Sequence, residues 1–453
     1  MKKQKTALIA GMARSGIASA KLLYKNGYRI IINDLKRDIP GLEEALLGIE
    51  YVNGLGAPPE AFLREVDLLV LSPVIPIFRP FVKMALSMGI EVIGEIELGY
   101  RYSNREAEFI CIGGTNGKTT TTTLVGEIFK NSGRNTYVLG NIGIPICEYA
   151  MDFKPGDAVV TEIAALQLES IKDFRTNSAG LLNITEDHIN RFGSMEAYIA
   201  AKAKMFENQT EVDFAVLNLD DPIVRDMAKL TKAKIIWFSM KEELKNGMFV
   251  RDGRIIWSEN GDETEVIGTS ELKIPGEHNV QNAICASCLA LSRGVDMDVI
   301  RGTLREFTGV EHRIEFVCEK HGIQYINDSK ATNPESTIKA IRAMSRPTVL
   351  LLGVGDYDKF SDFVPLFEEF KDTVKGVVCS GKTVYEIEAA AKTVGFTNIK
   401  VCYGTFDEMV EMATDMADPG YTVLLSPAAA SWGMFDDFEH RGRVFKDIVK
   451  RIK

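Results

Sequence analysis

The sequence predicts an α/β protein of three domains, and three observations predict it. Short apolar strands alternate with helical stretches along the 453 residues, the rhythm of parallel sheets joined by crossover helices. That rhythm is broken twice, by the polar segment RYSNREAE (101–108) and again at FTGVEHR (307–313). Two strands run straight into glycine turns that open helices, GMARSG (11–16) and GGTNGKTTTTTL (113–124). The expected boundaries are 1–98, 99–308 and 309–453, and the length is ample for several cores.

In the first domain the strands are TALIAG, YRIIIND, DLLVLSP and GIEVIGEIEL. The amino-terminal MKKQKTALIAGMARSG resembles a leader for a few residues, but its apolar part is short and meets a glycine turn, so it reads as a first strand. The second domain runs through FICIGG, DAVVTEI, SAGLLNIT and DFAVLNLD and closes on a helix, NVQNAICASCLALSRG. The third has IQYIND, TVLLLG, GVVCSG and TVLLSP. Charged residues at 26% and hydrophobic residues at 45% are ordinary for a soluble globular chain. A net charge of −10 without a Lys/Arg run argues against nucleic acid. No apolar stretch reaches the roughly 18 residues of a membrane span. The seven cysteines are scattered, and Cys285-x-x-Cys288 falls inside a helical apolar pattern, so they read as core cysteines of a reducing compartment.

The first glycine turn places Gly11, Ala13 and Gly16 in an approximate dinucleotide fingerprint, with Arg14 and Ser15 inside it and Asp34 ending the second strand, where a ribose-binding acid sits. Backbone N–H groups at a helix N-terminus suit any nucleotide diphosphate. NAD, another nucleotide and a purely structural turn all remain open on these residues alone.

The second turn has the strand, glycine loop and helix that a phosphate loop needs. Its usual first glycine is Ile112, so Gly114, Thr115, Asn116, Gly117, Lys118, Thr119 and Thr120 form a shortened version. Lys118 can neutralise phosphate oxygens, and Thr119 can present a hydroxyl to Mg²⁺. Glu162 and His188 follow later strands, at the edge where carboxyl ends of parallel strands face one crevice. Oxygen ligands and an imidazole beside ATP phosphates suit Mg²⁺ or Mn²⁺. Asp187 fits the same edge or a helix cap. Lys202 falls in the apolar stripe of SMEAYIAAKAKMFE. A buried lysine is costly unless paired or neutral, and the alternative is a side chain snorkelling to the rim. A neutral amine can add CO₂ to give a metal-binding carbamate.

The G-T-N-G-K-T run resembles that of the Mur ligases and the related folylpolyglutamate synthetases. The likeness extends through GNIG (140–143), GEHNVQN (276–282), EHRIE (311–315), NDSKATNPEST (327–337) and LLSPAAASWGMFDDFEHRG (424–442). The D-S-K-A-T-N run resembles the D-glutamate-adding branch. The resemblance implies a Rossmann-like amino-terminal domain that binds UDP, a central P-loop ATPase-type parallel sheet, and a Rossmann-like carboxyl-terminal domain. It implies a cytoplasmic, monomeric ligase of peptidoglycan synthesis that uses ATP and Mg²⁺ at two sites, with Mn²⁺ as a substitute. Its partners would be UDP-N-acetylmuramoyl-L-alanine and D-glutamate, joined through an acyl phosphate. By resemblance, Gly11, Ala13, Arg14, Ser15, Gly16, Asp34, Lys36, Ser72 and Asn141 serve the UDP substrate. ATP would take residues 114–120 with His278, Asn279, Asn282, His312, Arg313, Asp328 and Lys330. Thr332, Lys359, Ser431 and Phe438 would bind D-glutamate. Thr119, Glu162, His188 and carbamylated Lys202 would bind metal. Lys118, Glu162, His188 and Lys202 would carry catalysis. The chain departs from the family pattern at Ala164-Ala165, Val74, Leu35-Lys36, Glu311 and Gly433. An NAD-dependent oxidoreductase, a non-catalytic nucleotide-binding protein and a ligase with another acceptor are the competing readings.

Overall fold

Strand β1 (Thr6–Ala10) is buried at every position. A strand covered on both faces reads as an unbroken apolar run, and most of the parallel strands here share that character. The computed structural model describes residues 4–187, 189–274, 276–355 and 362–452. It contains two compact units, Met1–Phe307 and Thr308–Lys453.

The first unit carries two sheets. In one, β1, β2 (Arg29–Asn33), β3 (Tyr51–Asn53), β4 (Leu68–Leu71) and β5 (Glu91–Gly94) lie in the order β3-β2-β1-β4-β5, all parallel. The direction of winding reverses between β1 and β4, which opens a crevice beyond their carboxyl ends. The larger sheet holds β6 (Glu108–Gly113), β7 (Thr136–Gly140), β8 (Ala158–Glu162), β9 (Ser178–Leu181), β10 (Phe214–Asn218), β11 (Lys234–Ser239), β12 (Gly247–Arg251), β13 (Arg254–Glu259) and β14 (Asp262–Gly268). Their order is β14-β13-β12-β11-β10-β9-β6-β8-β7, so β6 lies between β9 and β8 with the phosphate loop at its end. One face packs on Leu124, Ile128, Cys285 and Leu289, the other on Phe109, Phe174, Tyr198 and Phe206. All seven cysteines are free, and Cys285 and Cys288 are buried in the core, as their helical pattern predicts.

Two elements differ from the sequence reading. The strand expected over GIEVIGEIEL stops at Gly94, and Glu95–Tyr102 is a helix. Its period is set by the i,i+4 pair of Glu97 and Arg101 (2.7 Å) and by the Glu97 carboxylate, which also accepts the N–H groups of Lys172, Asp173 and Phe174. The antiparallel meander β12–β14 was not anticipated. Its two turns are Asp252-Gly253 and Asn260-Gly261, all four residues at positive φ, the signature of two-residue hairpins.

The second unit has β15 (Glu315–Lys320), β16 (Ile323–Asn327), β17 (Thr348–Gly353), β18 (Val374–Ser380), β19 (Ile399–Val401) and β20 (Thr422–Leu425) in the order β15-β16-β20-β17-β18-β19. Only β15 is antiparallel. Among the described residues no helix is long and apolar enough to cross a membrane.

Candidate active site

At the edge of the smaller sheet the glycine turn is sterically compulsory. Gly11 has φ +91, and a Cβ there would lie 2.5 Å from Ser72 Cβ; one on Gly16 would lie 2.0 Å from the Gly11 carbonyl oxygen. Ala13 caps the helix that begins at Arg14. The Asp34 carboxylate accepts Met12 N–H (2.9 Å) and Lys36 N–H (3.0 Å), so it fixes the turn. Ser72 is tied to β1 through the Ala10 carbonyl, and the Ser15 carbonyl accepts the Ser19 hydroxyl inside the helix. Arg14 Nη1 reaches within 3.8 Å of where a Cβ on Gly143 would stand, which brings the GNIG loop beside the turn.

The phosphate loop leaves β6 at Gly113 and enters the helix Lys118–Asn131. Gly114 and Gly117 take φ +144 and +83, conformations open to glycine. Asn183, which the sequence reading did not single out, clasps the loop. Its carbonyl accepts Thr115 N–H, its Oδ1 accepts Asn116 N–H (both 2.9 Å), and its Nδ2 donates to Asn116 O (3.2 Å). Lys118 folds back, donating from Nζ to Gly114 O (2.9 Å) and Thr115 O (2.8 Å). Thr119 is buried in the first turn, and Thr120 follows it.

Lys202 is 4% exposed on the helix Met195–Ala203, and its Nζ donates to the same Gly114 carbonyl at 2.8 Å. The snorkelling alternative therefore fails. Burial, with the Lys118 charge beside it, pulls the Lys202 ammonium down to about 7, against an opposing pull from Asp187. A large share of the amine is thus neutral near neutral pH. Tyr198 stacks against it, 4.7 Å from Nζ to the ring centroid, and its hydroxyl lies 3.2 Å from Thr115 Oγ1.

Glu162 ends β8 opposite Ile112 of β6 and is 2% exposed. Its Oε1 accepts Asn141 Nδ2–H at 2.7 Å, while Oε2 is buried without a partner among the described residues. Such an oxygen is costly to leave alone, and it suits a cation. Asn141 also donates its N–H to Glu162 O (2.9 Å), so its side chain serves Glu162 in this structure, a partner the sequence did not indicate. His188 lies outside the described residues. Among the described residues no group of three His, Cys, Asp or Glu side chains forms a metal site; the donors here are a carboxylate, a hydroxyl and an amine.

His278 lines an open cleft of about 560 Å³ with Asn183, Asp220, Asp221 and Lys241, and burial lowers its pKa. Asn279 and Asn282 are joined at 3.1 Å. Asn282 closes over Gly117, where a Cβ would lie 2.3 Å from its Oδ1. All three residues stand at the start of the helix Glu277–Ser292, next to the phosphate loop.

In the second unit the predicted residues gather at the carboxyl ends of β16, β20 and β17, but several are engaged internally. His312 is 2% exposed, lies 2.9 Å from Asn327 Nδ2 and packs against Gly442. Burial lowers its pKa. Asp328 is buried, accepts Ser426 Oγ–H (2.7 Å) and Ile314 N–H (3.2 Å), and its carboxyl is pushed up to about 7 by desolvation. Arg313 contributes charge near Asp328. Lys330 stands over the Phe438 ring at 5.7 Å, and Thr332 follows it in the loop. Ser431 is buried beside Gly355. Lys359 lies outside the described residues. The sequence reading missed Arg441, which is fully buried among these loops.

Three family domains match in chain order: Mur ligase MurD-like, N-terminal domain over 5–94; Mur ligase middle domain over 112–290; and Mur ligase, glutamate ligase domain over 312–429. The chain belongs to the Mur ligase family. It is 43% identical over 456 residues to UDP-N-acetylmuramoylalanine–D-glutamate ligase of Alkaliphilus oremlandii, covering 100% of this chain and 99% of that one. It is 42% identical over 456 residues, with the same coverage, to the protein of that name from Clostridioides difficile. The fold is that of MurF from Acinetobacter baumannii (TM-score 0.59, 17% identity, 98% and 93% of the two chains). It is also that of the UDP-N-acetylmuramate-alanine ligase MurC from Thermotoga maritima (0.57, 19%, 99% and 100%). As a Mur ligase, the chain has a family counterpart for each of its three sheets, and the oxidoreductase reading of the first sheet alone falls away.

Proposed function

We propose that this Mur ligase joins D-glutamate to the alanine carboxylate of UDP-N-acetylmuramoyl-L-alanine, converting ATP to ADP and phosphate, in peptidoglycan precursor synthesis in the cytoplasm. Full-length identity to ligases of that name supports the reaction. The observation that carries the site is Glu162 Oε2, buried and without a partner among the described residues, beside a phosphate loop whose Gly114 carbonyl is shared by Lys118 and Lys202.

Three functional domains, 1–98, 99–308 and 309–453, divide the work. The turn at Gly11–Gly16 receives the UDP moiety. Residues 114–120 hold the ATP phosphates on backbone N–H groups, and His278 faces the adenine side. The alanine carboxylate attacks the γ-phosphorus, ADP leaves, and an acyl phosphate forms. Lys118 neutralises charge as it shifts toward the leaving oxygen, the main way a protein assists phosphoryl transfer. The amine of D-glutamate then attacks the acyl carbon, and the tetrahedral adduct expels phosphate and leaves the amide. Thr332, Lys359, Ser431 and Phe438 orient the acceptor. Magnesium at two sites, held by Thr119, Glu162, His188 and carbamylated Lys202, supplies charge neutralisation on the phosphate oxygens. The carbamate forms when the neutral Lys202 amine adds CO₂ and releases a proton.

The test is phosphate release with each substrate omitted in turn. Release needs UDP-N-acetylmuramoyl-L-alanine, ATP and D-glutamate together, and other amino acids replace D-glutamate poorly. Equal rates with another acceptor would move the chain to a different branch of the family.

A further inference from the structure

Arg441 lies on the helix Phe438–Arg451 and has no exposed surface. Its Nε donates to Ser329 Oγ (3.0 Å), Nη1 to Val354 O (2.9 Å) and Ala429 O (3.1 Å), and Nη2 to Ser329 O (2.9 Å). These four acceptors belong to three loops, those following β16, β17 and β20. None is a carboxylate. Burial pulls the guanidinium down to about 9, so it remains charged at neutral pH, with the charge of the Asp328 carboxyl opposing the shift.

Placing a guanidinium in the interior on neutral acceptors is an expensive way to gain stability; a packed hydrophobic side chain does as well or better. The backbone it holds is itself strained. Val354 takes φ +58 and Ala428 takes φ +57, conformations that are costly for non-glycine residues. Val354 offers its own carbonyl to Arg441, and Ala428 precedes the other acceptor. Gly355 is pressed so closely on this loop that a Cβ there would lie 1.8 Å from Ala430 O. Strain of this kind persists where the surroundings over-determine it, and it clusters at ligand sites. Two of these loops, those after β16 and β20, carry Thr332 and Ser431.

We propose that Arg441 is a positioning residue for the acceptor amino acid: its guanidinium locks the loop ends after β16, β17 and β20 in the strained arrangement that presents the acceptor-binding side chains. The proposal rests on the reading that this edge binds D-glutamate. Arg441 does not touch the acceptor; it sets where the residues that do are held, and its buried positive charge favours a doubly anionic ligand above it.

The experiment uses full-length Arg441→Met, Arg441→Lys and Ser329→Ala. It measures KM for D-glutamate and for ATP, and borohydride trapping of the acyl phosphate in the absence of D-glutamate. Arg441→Met is expected to raise KM for D-glutamate about tenfold or more, with KM for ATP and acyl-phosphate trapping within about twofold of wild type. Arg441→Lys recovers part of the loss, and Ser329→Ala, which removes one of the four bonds, shifts KM in the same direction by less. If Arg441→Met does not fold, the lysine and serine variants decide. Unchanged D-glutamate KM in the folded variants, or equal loss for ATP and D-glutamate, overturns the proposal. Wild-type protein that traps acyl phosphate but shows no response to D-glutamate would instead overturn the acceptor assignment on which it rests.

Discussion

The edge of the central sheet and the edge of the carboxyl-terminal sheet are built alike, from loops that follow adjacent parallel strands, yet they use their polar groups differently. At the central edge Glu162 leaves one buried oxygen without a partner among the described residues, and two lysine side chains converge on a single carbonyl. At the other edge the buried groups beside the predicted acceptor residues are satisfied within the unit, Asp328 by Ser426 and Ile314 and Ser329 by Phe438 and Arg441, although the Thr383 hydroxyl next to Gly353 is buried without a partner among the described residues. Phosphoryl transfer needs groups whose remaining valence belongs to nucleotide and metal. Recognition of an amino acid needs a rigid shape, and internal hydrogen bonds supply that. A buried polar group thus carries different information according to whether its partners are already in the protein.

Mutations can break this comparison, the largest effect coming first. Lys118→Ala should lose about 10³-fold or more in kcat with a much smaller effect on its melting temperature, because two of its bonds are to carbonyls of its own loop while in the proposed mechanism its charge acts on the phosphates. Wild-type turnover in the folded variant would remove the loop from the mechanism. Lys202→Ala should lose roughly 10²-fold, since the proposed carbamate ligand goes, and short carboxylic acids should restore part of it. An unmodified amine by mass under bicarbonate, with full activity in the variant, contradicts the carbamate.

Glu162→Gln sharpens the contrast. The amide can keep the bond from Asn141 on its oxygen while removing a charge from a buried position, so stability should hold or rise by about 1 kcal/mol as activity collapses. Thermal melts and turnover on one preparation test both halves. The smallest effect is on pH. The Asp328 carboxyl is raised from 3.8 to about 7 in the folded state. The folded chain therefore holds that proton more tightly than the unfolded chain. Its contribution is full below 3.8 and is lost as pH rises to about 7, on the order of 2–4 kcal/mol. Asp328→Asn should flatten that part of the stability curve. Glu95, raised to about 7 by burial in the first unit, adds the same sign, so the difference between the wild-type and variant urea curves is the measured quantity. Parallel curves would show that Asp328 does not titrate in this window.

The sequence made the phosphate loop, Glu162 and Lys202 legible because each sits at a fixed offset from a strand or in a helical stripe. Lys202 stood out as a charge in an apolar face, and the structure buries it. The contact between Asn141 and Glu162 was not legible: the residues are 21 apart and meet only through the pairing of β7 with β8. Arg441 was hidden for a similar reason. Its partners lie up to 112 positions away, and an arginine in a polar run such as FEHRGR looks like surface. The helix Glu95–Tyr102 was misjudged because its alternating Glu and Ile imitate a strand, while the partners that bury both glutamates come from distant loops. The D-G and N-G turns of β12–β14 were readable in principle.

Calorimetric titration of a non-hydrolysable ATP analogue, with and without Mg²⁺, into wild type, Glu162→Gln and Asp328→Asn tests the central distinction most directly. Glu162→Gln should lose the Mg²⁺-dependent part of the affinity, about tenfold or more, while Asp328→Asn keeps it. Retention of the full Mg²⁺ dependence by Glu162→Gln, with loss in Asp328→Asn, would contradict the account.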